Sequence, residues 1–134
     1  MNELTRLALG LEKFWREKGW EACIIGGLAV QAWGEPRFTM DVDITVLAGL
    51  GREEEFVDGW LREFPSRIPD AKSFALENRV LLLRGLEGIG IDVALGCLPF
   101  EEQAIRSAVD VELEPGARVR ICRPEDLLVM KAFA

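Results

Sequence analysis

The stretch that decides the fold is Met40-Asp41-Val42-Asp43-Ile44-Thr45-Val46, in which apolar and polar residues alternate throughout. Successive side chains of a strand point to opposite faces, so this alternation predicts a half-buried strand over residues 40–46. Its apolar face carries Val42, Ile44 and Val46, and its polar face carries Asp41, Asp43 and Thr45. The two carboxylates therefore project from one face, roughly 7 Å apart along the strand.

A third carboxylate, Asp92, lies in a second alternating stretch, residues 89–95. Aspartate is disfavoured in strands, so three of them in such places call for a reason. If strand 89–95 pairs beside strand 40–46, Asp92 completes a cluster of hard oxygen ligands that favours Mg²⁺ or Mn²⁺ over zinc. A cation would also relieve the repulsion that otherwise raises the carboxyl pKa values. The alternative is that Asp41 and Asp43 simply face solvent and that Asp92 is an ordinary strand-end residue.

A double glycine, Gly26-Gly27, separates a predicted buried strand (22–25) from a predicted helix (28–33). Amide groups at the start of a helix are free to bind an anion, and glycine lets a phosphate approach the backbone. Arg37 follows the helix and could add a bidentate phosphate contact. The alternatives are a plain turn for the glycines and a surface ion pair with Glu35 for Arg37.

The remaining sequence predicts helices and strands in mixed order. Helices are predicted over residues 3–18, 52–64 and 99–108 and from Pro124 onward, strands over 79–84 and 89–95, and a hairpin near a sheet edge over 109–121. The proline-containing stretch between residues 65 and 78 is predicted to be irregular. This order predicts an α+β protein, an α/β sandwich around one mixed sheet.

Composition excludes several kinds of chemistry. The 134 residues include no histidine, which excludes imidazole bases, His-ligated zinc and a Ser-His-Asp triad. The net charge of −7, from 16 basic and 23 acidic residues, leaves no broad basic surface for a nucleic-acid backbone. Acid–base or metal chemistry must therefore use carboxylates, lysine, arginine, cysteine or hydroxyl groups.

The cysteines predict a reduced environment. There are three, Cys23, Cys97 and Cys122, without a CxxC pair and each among apolar residues, which is typical of buried thiols rather than of disulfides or a zinc site. The N-terminus does not have the order of a signal peptide, and no apolar run reaches the ~18 residues of a membrane span. We expect a cytoplasmic protein without membrane association.

The motifs together resemble a known family. Gly26-Gly27, then thirteen residues, then Asp41-Val42-Asp43 is similar to the signature of the polymerase-β-type nucleotidyltransferase superfamily, and Asp92 matches the carboxylate that this superfamily takes from a later strand. The run from Gly26 to Asp43 especially resembles the small toxin–antitoxin-type members, the minimal nucleotidyltransferases and the AbiEii-like group. The segment from Arg123 to Lys131 resembles their last helix.

The resemblance implies the nucleotidyltransferase fold, a mixed sheet with helices packed mainly on one face. It implies transfer of a nucleoside monophosphate from a nucleoside triphosphate to an acceptor hydroxyl, on a cognate toxin or antitoxin protein or on tRNA, with Mg²⁺ or Mn²⁺. By this resemblance the catalytic and metal-binding residues are Asp41, Asp43 and Asp92, and the nucleotide-binding residues are Gly26, Gly27, Arg37 and Lys131. The alternative for Lys131 is an exposed helix residue.

Similar members continue beyond the lysine that corresponds to Lys131. We therefore expect one domain over residues 1–134, either a short member of the family or one without its C-terminal helical extension. Two other functions stay open from the sequence: an inactive nucleotidyltransferase-fold module that binds a partner protein, and an enzyme that modifies a small molecule.

Overall fold

The computed structural model describes residues 1–34 and 41–132, and for residues 131 and 132 it describes the backbone alone. The helices are α1 (Glu3–Glu17), α2 (Gly26–Ala32), α3 (Glu53–Glu63), α4 (Ala71–Asn78), α5 (Pro99–Ser107) and α6 (Pro124–Ala132). The strands are β1 (Ala22–Ile25), β2 (Asp41–Leu47), β3 (Val80–Arg84), β4 (Gly90–Gly96), β5 (Val109–Glu114) and β6 (Ala117–Ile121). One turn of 3₁₀ helix, Leu86–Gly88, joins β3 to β4.

The strands form one mixed sheet in the order β3-β4-β2-β1-β6-β5. Strands β2 and β4 are parallel neighbours, while β1 pairs antiparallel with β2 and β3 pairs antiparallel with β4. The β5–β6 hairpin joins the sheet through the parallel pairing of β6 with β1, so β5 lies at the edge. The predicted α+β class, the mixed sheet and the edge position of the hairpin are confirmed.

The larger core lies on the face of the sheet that carries the apolar residues of β2. Helices α1, α3 and α4 bury their apolar sides there against Val42, Ile44 and Val46. Five aromatic rings fill the space between α1 and α3, with ring centroids 4.7 to 6.0 Å apart, and they belong to Phe14, Trp20, Phe56, Trp60 and Phe64. Offset and edge-on aromatic pairs add stability beyond the area that they bury. Helices α1, α3 and α4 thus share this face of the sheet.

A smaller core lies on the opposite face, which is also the face of Asp43. Helix α5 packs here on β1 and β2, and Ala104 and Ile105 meet the buried thiols of Cys23 and Cys122. The hydrogen bond to Cys122 and burial together raise the pKa of the Cys23 thiol well above its usual range. All three cysteines are free, as expected for reduced thiols, but Cys97 is only half-buried.

Two secondary-structure predictions were wrong. The stretch predicted to be irregular contains α4, whose buried residues are only Ala71 and Ala75, so its sequence shows little amphipathic periodicity. Helix α2 begins at Gly26, two residues before its predicted start, because both glycines belong to its first turn. Trp33, directly after α2, is 40% exposed, although its indole N–H donates to the Cys122 carbonyl at 2.8 Å.

Within the described part of the chain, no helix has the length and apolar character needed to cross a membrane.

Candidate active site

The pairing of β2 with β4 brings the predicted carboxylates together. Asp43 lies directly opposite Asp92 in the parallel register, and Asp41 lies opposite Gly90. Register partners on adjacent strands point to the same face and are roughly 5 Å apart between backbones. The inferred adjacency of the two strands, on which the cluster depended, is confirmed.

The environment of Asp43 strongly perturbs its carboxyl group. Partial burial, the negative charges of Asp92 and Asp41, and a hydrogen bond with the Asp92 side chain raise its pKa to about 6, while the donated amide of Gly27 opposes the rise. A proton or a cation held between Asp43 and Asp92 removes this conflict. Carboxyl groups with strongly shifted pKa values cluster at functional sites.

Gly26 provides the space that the Asp43 carboxylate occupies. Its φ of +68° favours glycine, and a β-carbon there would lie 2.1 Å from Oδ2 of Asp43. The sequence predicted that Gly26 and Gly27 would let a phosphate approach the backbone. In the structure, the anion at this position is the carboxylate of Asp43, which accepts a hydrogen bond from the Gly27 amide.

The other two aspartates already have partners. Asp41 is exposed, and its Oδ1 accepts the Gly90 amide at 3.2 Å. Asp92 accepts a hydrogen bond on Oδ1 from Nη2 of Arg67 at 2.6 Å, and Nη1 of Arg67 donates to the Leu83 carbonyl at 3.0 Å.

Sequence reasoning missed Arg67. It lies in the stretch between α3 and α4, 25 residues before Asp92, and no local pattern marks it. One signal could have pointed to a buried partner of the carboxylates: Gly90 precedes Asp92 by two residues on the same strand face, and a glycine inside a strand often marks a close approach.

The donor set suits a hard divalent cation. It consists of carboxylate oxygens alone. The pKa of Asp43 is raised by burial and by the negative charges of Asp92 and Asp41, and a cation would neutralise those charges. Asp43 and Asp92 would hold the ion, with Asp41 as the third ligand. In residues 1–34 and 41–132, however, no three acidic or thiol side chains already surround one point as metal ligands. In the structure, Arg67 hydrogen-bonds to one oxygen of Asp92, and Oδ1 of Asp41 accepts the Gly90 amide.

Two predicted nucleotide-binding residues are not placed by the structure. Arg37 lies outside the described residues, as does its alternative partner Glu35. Lys131 lies in α6 by its backbone, and its side chain is outside the described part.

A surface groove of about 480 Å³ lies elsewhere, between α1 and the β5–β6 hairpin. Charged side chains of both signs line it, including Glu12, Arg16, Asp110 and Arg118. The three aspartates are not among its lining residues, and the carboxylate chemistry, rather than the size of a cavity, identifies the candidate site.

Comparison with known proteins bears on the fold. No family model matches the chain, and no curated protein matches its sequence. Among solved structures, an antigenic nucleotidyltransferase-like protein from Paracoccidioides brasiliensis superposes with a TM-score of 0.59 at 18% identity, over 96% of this chain and 64% of that one. The chain has a nucleotidyltransferase fold.

A second solved structure with the nucleotidyltransferase fold is the CCA-adding enzyme of Thermotoga maritima complexed with tRNA. It matches with a TM-score of 0.55 at 20% identity, over 98% of this chain and 32% of that one. The chain thus spans about two thirds of the first protein and about one third of the second. The fold that the sequence motifs implied is confirmed. On this fold, Asp41, Asp43 and Asp92 lie on the polar face of β2 and β4.

Proposed function

We propose that the chain is a metal-dependent nucleotidyltransferase that moves a nucleoside monophosphate from a nucleoside triphosphate to an acceptor hydroxyl. One observation carries the proposal: Asp41, Asp43 and Asp92 lie on one face of two adjacent parallel strands, with Asp43 and Asp92 in register. Burial and the negative charges of Asp92 and Asp41 raise the pKa of Asp43, and this supports a site that binds a cation.

The proposed reaction is an in-line displacement at the α-phosphorus. A bond forms from the acceptor oxygen to the α-phosphorus, the bond from that phosphorus to the bridging oxygen of the β-phosphate breaks, and pyrophosphate leaves. Mg²⁺ or Mn²⁺, when bound, supplies charge neutralisation along the triphosphate and helps to generate the nucleophile. Asp41 and Asp43 orient the triphosphate side of the site, and Asp92 receives the proton of the acceptor hydroxyl.

The other predicted residues complete the nucleotide site in this proposal. Gly26 lies against the Asp43 carboxylate, and the Gly27 amide donates to it. Both glycines are proposed to present backbone without side chains to the phosphates as well. Arg37 and Lys131 are proposed as cationic contacts to the triphosphate.

We propose that the enzyme acts in a toxin–antitoxin-type system in the cytoplasm, and that its acceptor is either a partner protein or tRNA. The net charge of −7 favours a partner protein over RNA. The CCA-adding enzyme with the same fold was solved with tRNA, which keeps tRNA as the second candidate acceptor. Binding that weakens steeply with added salt would favour tRNA, since phosphate contacts release counterions.

A second candidate function is a catalytically inactive module that acts by binding a partner protein. The Arg67–Asp92 ion pair favours it, because an internal cation can satisfy a carboxylate that no longer binds metal. Against it, Asp43 keeps a costly raised pKa that an inactive protein has no reason to maintain.

The test is label transfer from each α-labelled nucleoside triphosphate with Mg²⁺ to candidate proteins, tRNA and small-molecule acceptors. Asp41→Asn and Asp43→Asn should abolish transfer, while Asp110→Asn, at an exposed aspartate that pairs with Arg16 at 3.6 Å, should retain it. Transfer that persists in both site variants would refute the proposal. Partner binding without transfer by the native chain would favour the inactive module.

A further inference from the structure

Arg67 is held in place by backbone as well as by its ion pair. Its amide donates to the Leu82 carbonyl at 3.0 Å, and the neighbouring Ser66 forms an isolated antiparallel bridge with Leu83. The segment therefore runs along the outer side of β3. Its guanidinium donates to the Leu83 carbonyl on β3 and reaches Asp92 on the neighbouring strand β4. A side chain anchored at both its backbone and its head group keeps one orientation.

The room for this guanidinium comes from Gly90. A β-carbon at Gly90 would lie 2.6 Å from Nη1 of Arg67 and 2.7 Å from Oδ1 of Asp41. Gly90 is the register partner of Asp41 and lies two residues before Asp92. The missing side chain of Gly90 thus lets Arg67 and Asp41 approach the same point of the sheet. The guanidinium of Arg67 therefore lies near Asp41 as well as in contact with Asp92.

The ion pair is partly shielded from water. The side chains of Arg67 and Asp92 are 29% and 33% exposed, whereas an ordinary surface pair such as Arg52–Glu55 is 61% and 60% exposed. Exposed pairs contribute little, and shielding strengthens the charge interaction. One positive charge therefore balances part of the negative charge of the three carboxylates in the ligand-free protein.

We propose that Arg67 is the resident counter-cation of the acidic site, neutralising Asp92 in the ligand-free protein and competing with the divalent cation for that carboxylate. The inference rests on the proposed function, because it requires that the carboxylates bind metal. Arg67 is a positioning residue: it acts through Asp92. When metal binds, Arg67 gives up Oδ1 of Asp92 or shares it, and its charge lowers the affinity of the site.

The experiment measures Mn²⁺ affinity by the electron paramagnetic resonance of free Mn²⁺, on the whole chain at low ionic strength. Arg67→Gln should bind Mn²⁺ roughly tenfold more tightly than the native chain, because it removes one positive charge that repels the divalent cation from close to its ligand Asp92. Arg67→Lys keeps the charge and should remain within about threefold of native. Arg52→Gln removes the same charge from an exposed pair and should leave the affinity unchanged.

A merely structural role for Arg67 predicts the opposite direction, since a disordered site binds metal more weakly. Arg67→Met, which keeps the aliphatic stem, serves in the same assay if the glutamine variant does not fold. In the native chain, the Arg67 side-chain N–H resonance, assigned by its absence from Arg67→Lys, should shift when Mg²⁺ is added.

The outcomes separate the two proposals. If the native chain binds Mn²⁺ and Asp43→Asn does not, the metal site is supported; unchanged or weaker binding by Arg67→Gln then overturns the role of Arg67 alone. If the native chain binds no Mn²⁺, the proposed metal-dependent function is overturned first, and the role of Arg67 with it.

Discussion

Replacing Asp43 by asparagine should stabilise the ligand-free protein and remove its response to Mg²⁺. The carboxyl pKa of Asp43 rises from its ordinary value of 3.8 to about 6 because the group is partly buried and faces Asp92 and Asp41. Between these two values the native state binds more protons than the unfolded chain. Its stability therefore falls as the pH rises through this window and is level above it.

The magnitude follows from the shift. Each pKa unit corresponds to about 1.4 kcal/mol, so an inaccessible group would cost about 3 kcal/mol at neutral pH. Solvent reaches Asp43 and screens its charge, so we expect about 1–2 kcal/mol. An asparagine carries no charge, keeps an oxygen for the Gly27 amide, and should recover this amount at pH 8. At pH 4.5 the native carboxyl is largely protonated, so the gain should be about 1 kcal/mol smaller.

The assay is urea denaturation of the native chain and Asp43→Asn at pH 4.5 and pH 8 with a chelator, repeated at pH 8 with Mg²⁺. The control is Asp110→Asn, which should differ from native by no more than about 0.5 kcal/mol at either pH. Mg²⁺ should stabilise the native chain by mass action and leave Asp43→Asn unaffected. A variant that is less stable than native at pH 8 without metal, or equally stabilised by Mg²⁺, would refute the reasoning.

Three further predictions concern other positions. Thr45→Val should keep stability or raise it by up to about 1 kcal/mol, because the buried hydroxyl has no hydrogen-bond partner among the described residues; a loss of stability in urea denaturation would reveal a partner. Gly26→Ala should lower the free energy of unfolding by at least about 2 kcal/mol and remove the response to Mg²⁺, since the new β-carbon would meet the Asp43 carboxylate. The control is Gly10→Ala in α1, where a β-carbon would have no described atom within 4 Å, and it should be neutral or stabilising. Equal losses of stability in the two variants would contradict this. In the native protein a thiol reagent should modify Cys97 quickly and the two buried thiols only after unfolding, and three fast-reacting thiols would show that the smaller core is open.

Local sequence pattern determined most of the elements. Strand β1 occupies the predicted residues 22–25, and β2 and β4 differ from prediction by one residue at each end. Period-two alternation is a property of the chain itself, and it placed Asp41 and Asp43 on one face before any pairing was known. Helix α4 escaped because it packs only two alanines against the core, which leaves too weak a periodicity to read.

The partnerships between distant residues were decided by tertiary structure alone. The sequence indicated that Asp92 belongs with Asp41 and Asp43, but the register that sets it opposite Asp43 comes from strand pairing. Nothing near Arg67 in the chain indicates that it reaches Asp92, because that contact depends on how the segment after α3 runs along β3. Likewise, the sequence predicted that Gly26 contacts a phosphate. Only the packing of α2 against β2 shows that the Asp43 carboxylate occupies the space that a β-carbon at Gly26 would fill. Alternation and turn chemistry act within a few residues, whereas charge pairing and close packing act across space, so the chain specifies its carboxylates locally and their partners only when it folds.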